Sequence, residues 1–398
     1  MTATSTSAAP SRQRRRRPPP WRDVRILRVA AQVAFLIALA ALVAWLYDNL
    51  VSNMEKLGID RSFDYLDQPA GFQIRASPFR ASQTVRDAIG VGVRNTAILA
   101  AAGIVVTTVL GVIVGVARLS SNWLVAKAAA FYVETLRNIP PLLVIFFVNT
   151  AVVLELPPIG DATTVPGDLL VLSNRQLAMA SPRAGDGAPL YLGLLALALV
   201  AAVVVGVWRT RVNERTGEPH HRVAWGAALV AAVAGVGYVA LAGPIELSRP
   251  RAEGFNVRGG IAMVGPFATL LVALVIYTAS HVAEIVRGSI QAVPRGQVEA
   301  ASALALTEFQ RLRFVVLPQA FRIAIPPTIN QYLNLTKNTS LGIAIGYAEL
   351  MAITQIVIGN GNPAPQSFGV AMAIYLAFSL TISAVVNVLN RRLRLVER

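Results

Sequence analysis

"QVEAASALALTEFQRLRFVVLPQA", residues 297 to 320, is a polar, alanine-rich stretch between long apolar runs. It carries one carboxylate early, gathers arginines toward its end and closes on Leu317 and Pro318. Pro294 can open a helix, Glu299 reads as part of its first turn, where negative charge suits the positive helix end, and Pro318 reads as its stop or kink. Ala300, Ala301, Ala303 and Ala305 keep one helical face low, which lets another protein approach the backbone closely. From the residues alone two readings stand level: a docking helix, and an ordinary amphipathic helix lying at a membrane surface.

The flanking sequence is that of a membrane protein. Of 398 residues, 55% are hydrophobic and 14% charged, whereas soluble domains carry roughly 25% charged residues. About 20 residues of helix, at 1.5 Å each, cross a hydrocarbon core of about 30 Å. Runs of that length fall at approximately 26–47, 88–117, 130–152, 189–208, 223–243, 263–286, 321–348 and 368–390. None alternates polar and apolar residues as the strands of a transmembrane barrel do. The expected fold is therefore all-α and polytopic, with about eight transmembrane helices.

Charge orients these spans. The net charge is +15, but the basic residues cluster beside apolar segments, at Arg14 to Arg17, Arg209 to Arg222 and Arg391 to Arg398. This is how cytoplasmic loops are marked, and no aromatic residues interleave with the basic ones as in nucleic-acid binders. An even number of spans puts both termini on the cytoplasmic side, with 48–87, 153–188 and 244–262 outside. The apolar stretch from Ile26 to Leu46 is too long for the core of a signal peptide and reads as a retained anchor. The chain divides into a disordered basic tail (1–22), an extra N-terminal span with a periplasmic loop (23–87), a core (88–390) with a helical pair inserted at about 153–262, and a tail at 391–398.

Several chemistries are missing. There is no cysteine, hence no disulfide or thiol site. Lysine occurs only at 56, 127 and 337, never after glycine, so no Gly-Lys-Ser/Thr phosphate loop exists. His220, His221 and His281 lack metal-ligand spacing.

The seventh span is unusually polar: Asn330, Gln331, Asn334, Thr336, Lys337, Asn338, Thr339 and Ser340 follow Pro326 and Pro327. Such density is at odds with lipid contact and suggests a locally broken helix facing a cavity. Lys337 or a helix N-terminus could meet a carboxylate, and amide carbonyls an ammonium group. The same residues could instead bond helices together or line water. Glu134 and Arg137, like Glu284 and Arg287, stand at i, i+3, the spacing of an intrahelical ion pair. A contact between core helices and a gate with changing partners are the other readings. Gly111 and Gly115 form a GxxxG, which permits close helix packing.

Resemblance separates the two readings of the opening stretch. Glu299, Ala300 and Ala301, then Ala305, Val315, Leu317 and Pro318, resemble the cytoplasmic EAA loop of ABC importer permeases, within 291–320 here. That family usually has glycine where Ala305 stands, an exchange that a helical position would tolerate because alanine is the better helix former. "HVAEIVRGSIQAVPRGQ" (281–297), "RIAIPPTINQYLNLTKNTSLGIAIGYAEL" (322–350) and "YVETLRNIPPLLVIFF" (132–147) are similar to permeases of the polar amino-acid, histidine/glutamine permease-like type. The resemblance covers about 88–150 and 263–390; the overall layout resembles the larger subunits of general L-amino acid importers.

The resemblance implies an inner-membrane transport subunit that is not an enzyme and binds no cofactor. ATP and Mg would sit on a separate ATPase docked at Glu299, Ala300, Ala301, Ala305, Leu317 and Pro318. The other implied partners are a periplasmic amino-acid-binding protein and a second permease, either related (a heterodimer) or identical. An amino acid would pass along a path for which Asn330, Gln331, Asn334, Lys337, Asn338, Thr339, Ser340, Glu134 and Arg137 are candidates. The rival function is an ion-coupled secondary transporter, which asks for midplane titratable groups and internal repeats; few such groups and no clear repeat are found.

Overall fold

The computed structural model describes residues 24–165, 167–216, 221–254 and 256–393. The basic tail expected at 1–22, and the end of the 391–398 tail from 394 on, lie outside the described residues. Two compact units, Met1–Asp64 and Tyr65–Arg398, are described separately.

Among the described residues the first unit holds one long helix, α1 (Val24–Lys56), 33 residues long, or about 50 Å at 1.5 Å per residue. Most of its apolar side chains, Phe35, Ile37 and Leu46 among them, are exposed, as lipid-facing residues are, while Met54 near its end is buried.

The second unit is built on α2 (Val85–Ala117). Thr84 starts it with a capping box, accepting from the Asp87 N–H at 3.2 Å while its own N–H donates to the Asp87 carboxylate at 3.1 Å. Next come α3 (Trp123–Arg137) and α4 (Pro141–Phe147), the latter extended by a π-helical turn at Val148–Val153. The third span is thus not one rod: its two parts meet at 109°. Pro141 disfavours helical backbone at Pro140, which adopts φ −58° and ψ 138°, and Pro140 does the same to Ile139.

The expected helical pair is α5 (Ala188–Thr216) and α6 (Arg222–Ala240). Tyr191 packs against Gly237 and donates its hydroxyl to the Ala234 carbonyl at 3.1 Å. The flanking segments, expected as loops, form short strands instead. Before the pair lie β1 (Thr163–Thr164), β2 (Leu170–Leu172), β3 (Gln176–Met179) and β4 (Ser181–Ala184). After it lie β5 (Ile245–Ser248), β6 (Arg251–Glu253), β7 (Asn256–Arg258) and β8 (Ile261–Val264). β8 pairs antiparallel with β3 (Gln176 opposite Val264) and β5 with β4, so the chain entering the insertion is zipped to the chain leaving it.

The remaining helices are α7 (Gly265–Gln291), α8 (Arg295–Ala303), α9 (Glu308–Arg311), α10 (Leu317–Asn338), α11 (Leu350–Gly359) and α12 (Ala364–Leu393). Pro326 and Pro327 stand inside α10 without ending it. The break in the seventh span comes later, where α10 tightens into a 3-10 stretch at Thr339–Ile345 and turns at Gly346 (φ +74°) before α11, at 47°. By length and composition, six described helices can each cross a membrane, and the two bent pairs bring the number to eight. The polytopic helical fold is as expected.

The GxxxG of α2 packs on α7. A Cβ on Gly111 would lie 2.6 Å from Val282 Cγ1, and one on Gly115 2.7 Å from the Ala283 carbonyl oxygen. Gly115→Val therefore forces the two helices apart, an overpacking cost of about 1–3 kcal/mol. The expected outcome is a lower thermal unfolding midpoint of the detergent-solubilised protein, with Gly193→Val, where a Cβ meets nothing within 4 Å, as the control that leaves it unchanged.

Candidate functional site

Two regions qualify: the polar loop around α8 and the polar part of α10. Pro294 precedes α8 as its cap residue, φ −57° and ψ 133°. Glu299 is the fifth residue of that helix rather than part of its first turn, too far along for the helix dipole to favour its charge much. It is exposed, as are Ala300 and Ala303, while Ala301 faces inward at 4% exposure. The alanines thus serve two faces, one packed and one open.

Ala305 is not helical. The Leu306 N–H donates to the Ala301 carbonyl at 3.2 Å and the Ala305 N–H to Ser302 at 3.0 Å, the paired bonds of a Schellman C-cap. Ala305 adopts φ +53°, the left-handed region that favours glycine. The expectation that a helical setting makes alanine a good replacement is corrected here: the position ends a helix. Thr307 then starts α9 with a second capping box, closed by Gln310.

Pro318 likewise reads differently in three dimensions. A π-helical turn at Leu312–Val316 runs from α9 into α10, and Pro318 is the second residue of α10. The path before it is already helical, with the Leu317 N–H reaching back to the Leu312 carbonyl in the wider π turn, so Pro318 sits inside an unbroken helical run instead of stopping it. Leu317 is half-buried and Pro318 exposed. Val293, Val316 and Ala320 form a small buried cluster that seats the loop on α10. Leu304, Phe309 and Phe314 are largely exposed near Glu299 in the chain, and sequence reasoning did not single them out.

In the polar span, Asn330, Asn334 and Lys337 are exposed, and their i, i+4, i+7 spacing puts them on one face of α10. Gln331 and Asn338 are half-buried. None of these five side chains carries a hydrogen bond to another described residue. The hydroxyls differ. Thr339 is fully buried and donates to the Thr336 carbonyl at 2.8 Å, and Ser340 donates to the Lys337 carbonyl at 2.7 Å. The amides and the ammonium group are therefore free to meet something outside this chain, whereas the two hydroxyls are engaged by their own helix.

Glu134 does not pair with Arg137. Its partner is Arg118, the C-cap of α2, at 3.4 Å, and Arg118 also bonds Glu284 of α7. Glu284 pairs with Arg287 at 2.5 Å as the i, i+3 spacing predicts. Arg118 thus joins α2, α3 and α7 just before α7 leads into α8. Arg137 is exposed and has no carboxylate partner among the described residues.

Sequence reasoning also passed over Glu349, which is fully buried. It caps α11, accepting from the N–H groups of Ala352 at 2.7 Å and Met351 at 3.0 Å, and accepts from the Tyr375 hydroxyl of α12 at 2.6 Å. A single acidic residue within an apolar span was the available signal. Among the described residues no group of His, Asp or Glu could hold a metal ion.

Residues 222–395 match the family described as the binding-protein-dependent transport system inner membrane component. The chain is 38% identical over 379 residues to the general L-amino acid transport system permease protein AapQ of Rhizobium johnstonii, covering 94% of each chain. The chain belongs to this family of transport-system inner membrane components. It is also 34% identical over 410 residues to the glutamate/glutamine/aspartate/asparagine transport system permease protein BztB of Rhodobacter capsulatus, covering 94% of this chain and 96% of that one. To the glutamine transport system permease protein GlnP of Escherichia coli it is 34% identical over 132 residues, a third of this chain. The family assignment makes the chain a multi-pass inner-membrane transport component, in agreement with the expectation from its sequence.

The left-handed backbone at Ala305 generates a test. Ala305→Gly removes a strain of about 1 kcal/mol, partly offset by the greater freedom of glycine in the unfolded chain. Slower amide hydrogen exchange over residues 300–307 is the expected outcome, and Ala305→Val, with a β-branched side chain at positive φ, is expected to exchange faster than wild type.

Proposed function

We propose that this chain is one of two permease subunits of an ATP-driven amino-acid importer. The reading rests on one observation above the others: a membrane-spanning helix that presents Asn330, Asn334 and Lys337 on an exposed face with no hydrogen-bond partner among the described residues. Unpaired amides and an ammonium group are costly against lipid, and are accommodated when the face lines a wet path between subunits. Lys337 suits the carboxylate of an amino acid and the amide oxygens its ammonium group. Relatives that match the chain nearly end to end carry amino-acid transport in their names, which supports this choice of substrate class.

The second permease would be a related chain or a second copy, with the two polar faces opposed across the path. A separate ATPase, holding ATP and Mg, would grip α8 through the open face formed by Glu299 and Ala300, with Leu304 and Phe309 near it. A periplasmic binding protein would deliver the amino acid from the opposite side. Both termini would then be cytoplasmic. Nucleotide-driven closure of the ATPases favours one access state over the other by acting on α8, whose Val298 packs on the buried cluster of Val293, Val316 and Ala320.

Uptake into proteoliposomes containing the ATPase and the binding protein tests this reading. Glu299→Lys reverses the charge on the exposed face of α8. It is expected to reduce ATP-driven uptake and ATPase co-purification together by about tenfold or more, equivalent to ~1.4 kcal/mol of docking free energy. Full ATP-driven uptake by this variant would remove Glu299 from the docking surface. Uptake driven by an ion gradient without ATP would favour the secondary-transporter function.

A further inference from the structure

Glu349 is a costly residue to bury within a membrane-spanning segment, and capping alone does not account for it. Serine, threonine, aspartate or asparagine normally caps a helix N-terminus. The extra reach of glutamate lets one carboxylate accept the Met351 and Ala352 N–H groups and also the Tyr375 hydroxyl. A carboxylate buried without a cation needs its lone pairs filled, and three donors with the positive end of α11 achieve this. The side chain therefore does what a shorter cap cannot: it ties α11 to α12.

The rest of the break is fastened to α2. The Asn95 side-chain amide donates to the Ala348 carbonyl at 2.7 Å, the Tyr347 hydroxyl to the Asn95 carbonyl at 3.2 Å, and the Leu350 N–H to the Thr96 hydroxyl at 3.1 Å. Gly92 admits Leu350 so closely that a Cβ would lie 2.9 Å from its Cα. On one side of the break, then, α11 is held by α2 and α12. On the other, α10 carries the polar face and runs back through the π-helical turn into α9 and the α8 loop.

We propose that Glu349 is a positioning residue for transport: through Tyr375 it holds α11 as the fixed arm against which α10 places Asn334 and Lys337. This rests on the permease reading above. Movement delivered at α8 then shifts the polar face relative to a stationary arm. Without the tie, part of that movement is taken up at the 3-10 stretch, Thr339–Ile345, and ATP hydrolysis is spent without import.

The test uses the complete transporter, with ATPase and binding protein, in proteoliposomes. Tyr375→Phe deletes one oxygen, and Glu349→Asp keeps an acidic cap too short to reach Tyr375. Assembly is read by co-purification, and coupling by amino acid imported per ATP hydrolysed. Each variant is expected to assemble as wild type does but to lower that ratio by about fivefold or more, the double variant being no worse than either single one. An unchanged ratio overturns the proposal. So does a loss of import that only tracks a loss of assembled complex, which would make the tie a folding contact. Absence of ATP-driven import by the wild-type complex would overturn the permease reading and the proposal with it, an outcome distinct from wild-type import with unaffected variants.

Discussion

The approach of α2 to α7 is the constraint on which the other contacts depend. Gly111 and Gly115 bring the two backbones close enough that Val282, Ala283 and Val286 fill the space a side chain would need. In hydrocarbon no hydrophobic force drives helices together, so small residues that allow dense packing take its place. The same face of α2 continues upward with Gly103 against Leu335 of α10 and Gly92 against Leu350 of α11. One helix thus carries contacts to three others along a single line of small residues.

Polar groups secure this frame at two levels. Near the end of α2, Arg118 meets Glu134 of α3 and Glu284 of α7, next to the point where α7 leads into the α8 loop. Higher up, Asn95 and Thr96 hold the break between α10 and α11, with Glu349 reaching across to α12. Between these levels lies the exposed face of Asn330, Asn334 and Lys337. The arrangement leaves α10 as the element that joins the α8 loop to the polar face.

Much of this was legible in the residues. Run lengths set the number of spans, and the unusual polarity of 330–340 set α10 apart from the other spans. The Glu-Ala-Ala stretch marked a short polar helix between spans, which is α8, and GxxxG named a packing face without naming its partner. The local meaning of single residues was less legible. Pro318 can end a helix or be carried within one, and the continuous path through Leu312–Val316 decides for the second. Ala305 looked helical among alanines but closes a C-cap at φ +53°. Strands of two to four residues, such as Thr163–Thr164, are too short to show a period of two.

By itself, the sequence determined that the chain is a helical membrane protein and roughly where its spans lie. These follow from composition and run length, which act locally. Tertiary structure alone decided the pairings: Glu134 with Arg118 rather than Arg137, Glu349 with Tyr375, β3 with β8, and Gly111 with Val282. Helical spacing limits which neighbours a side chain can reach along its own helix, but partners on different helices are far apart in the chain. Which of them meet is set by how the helices pack.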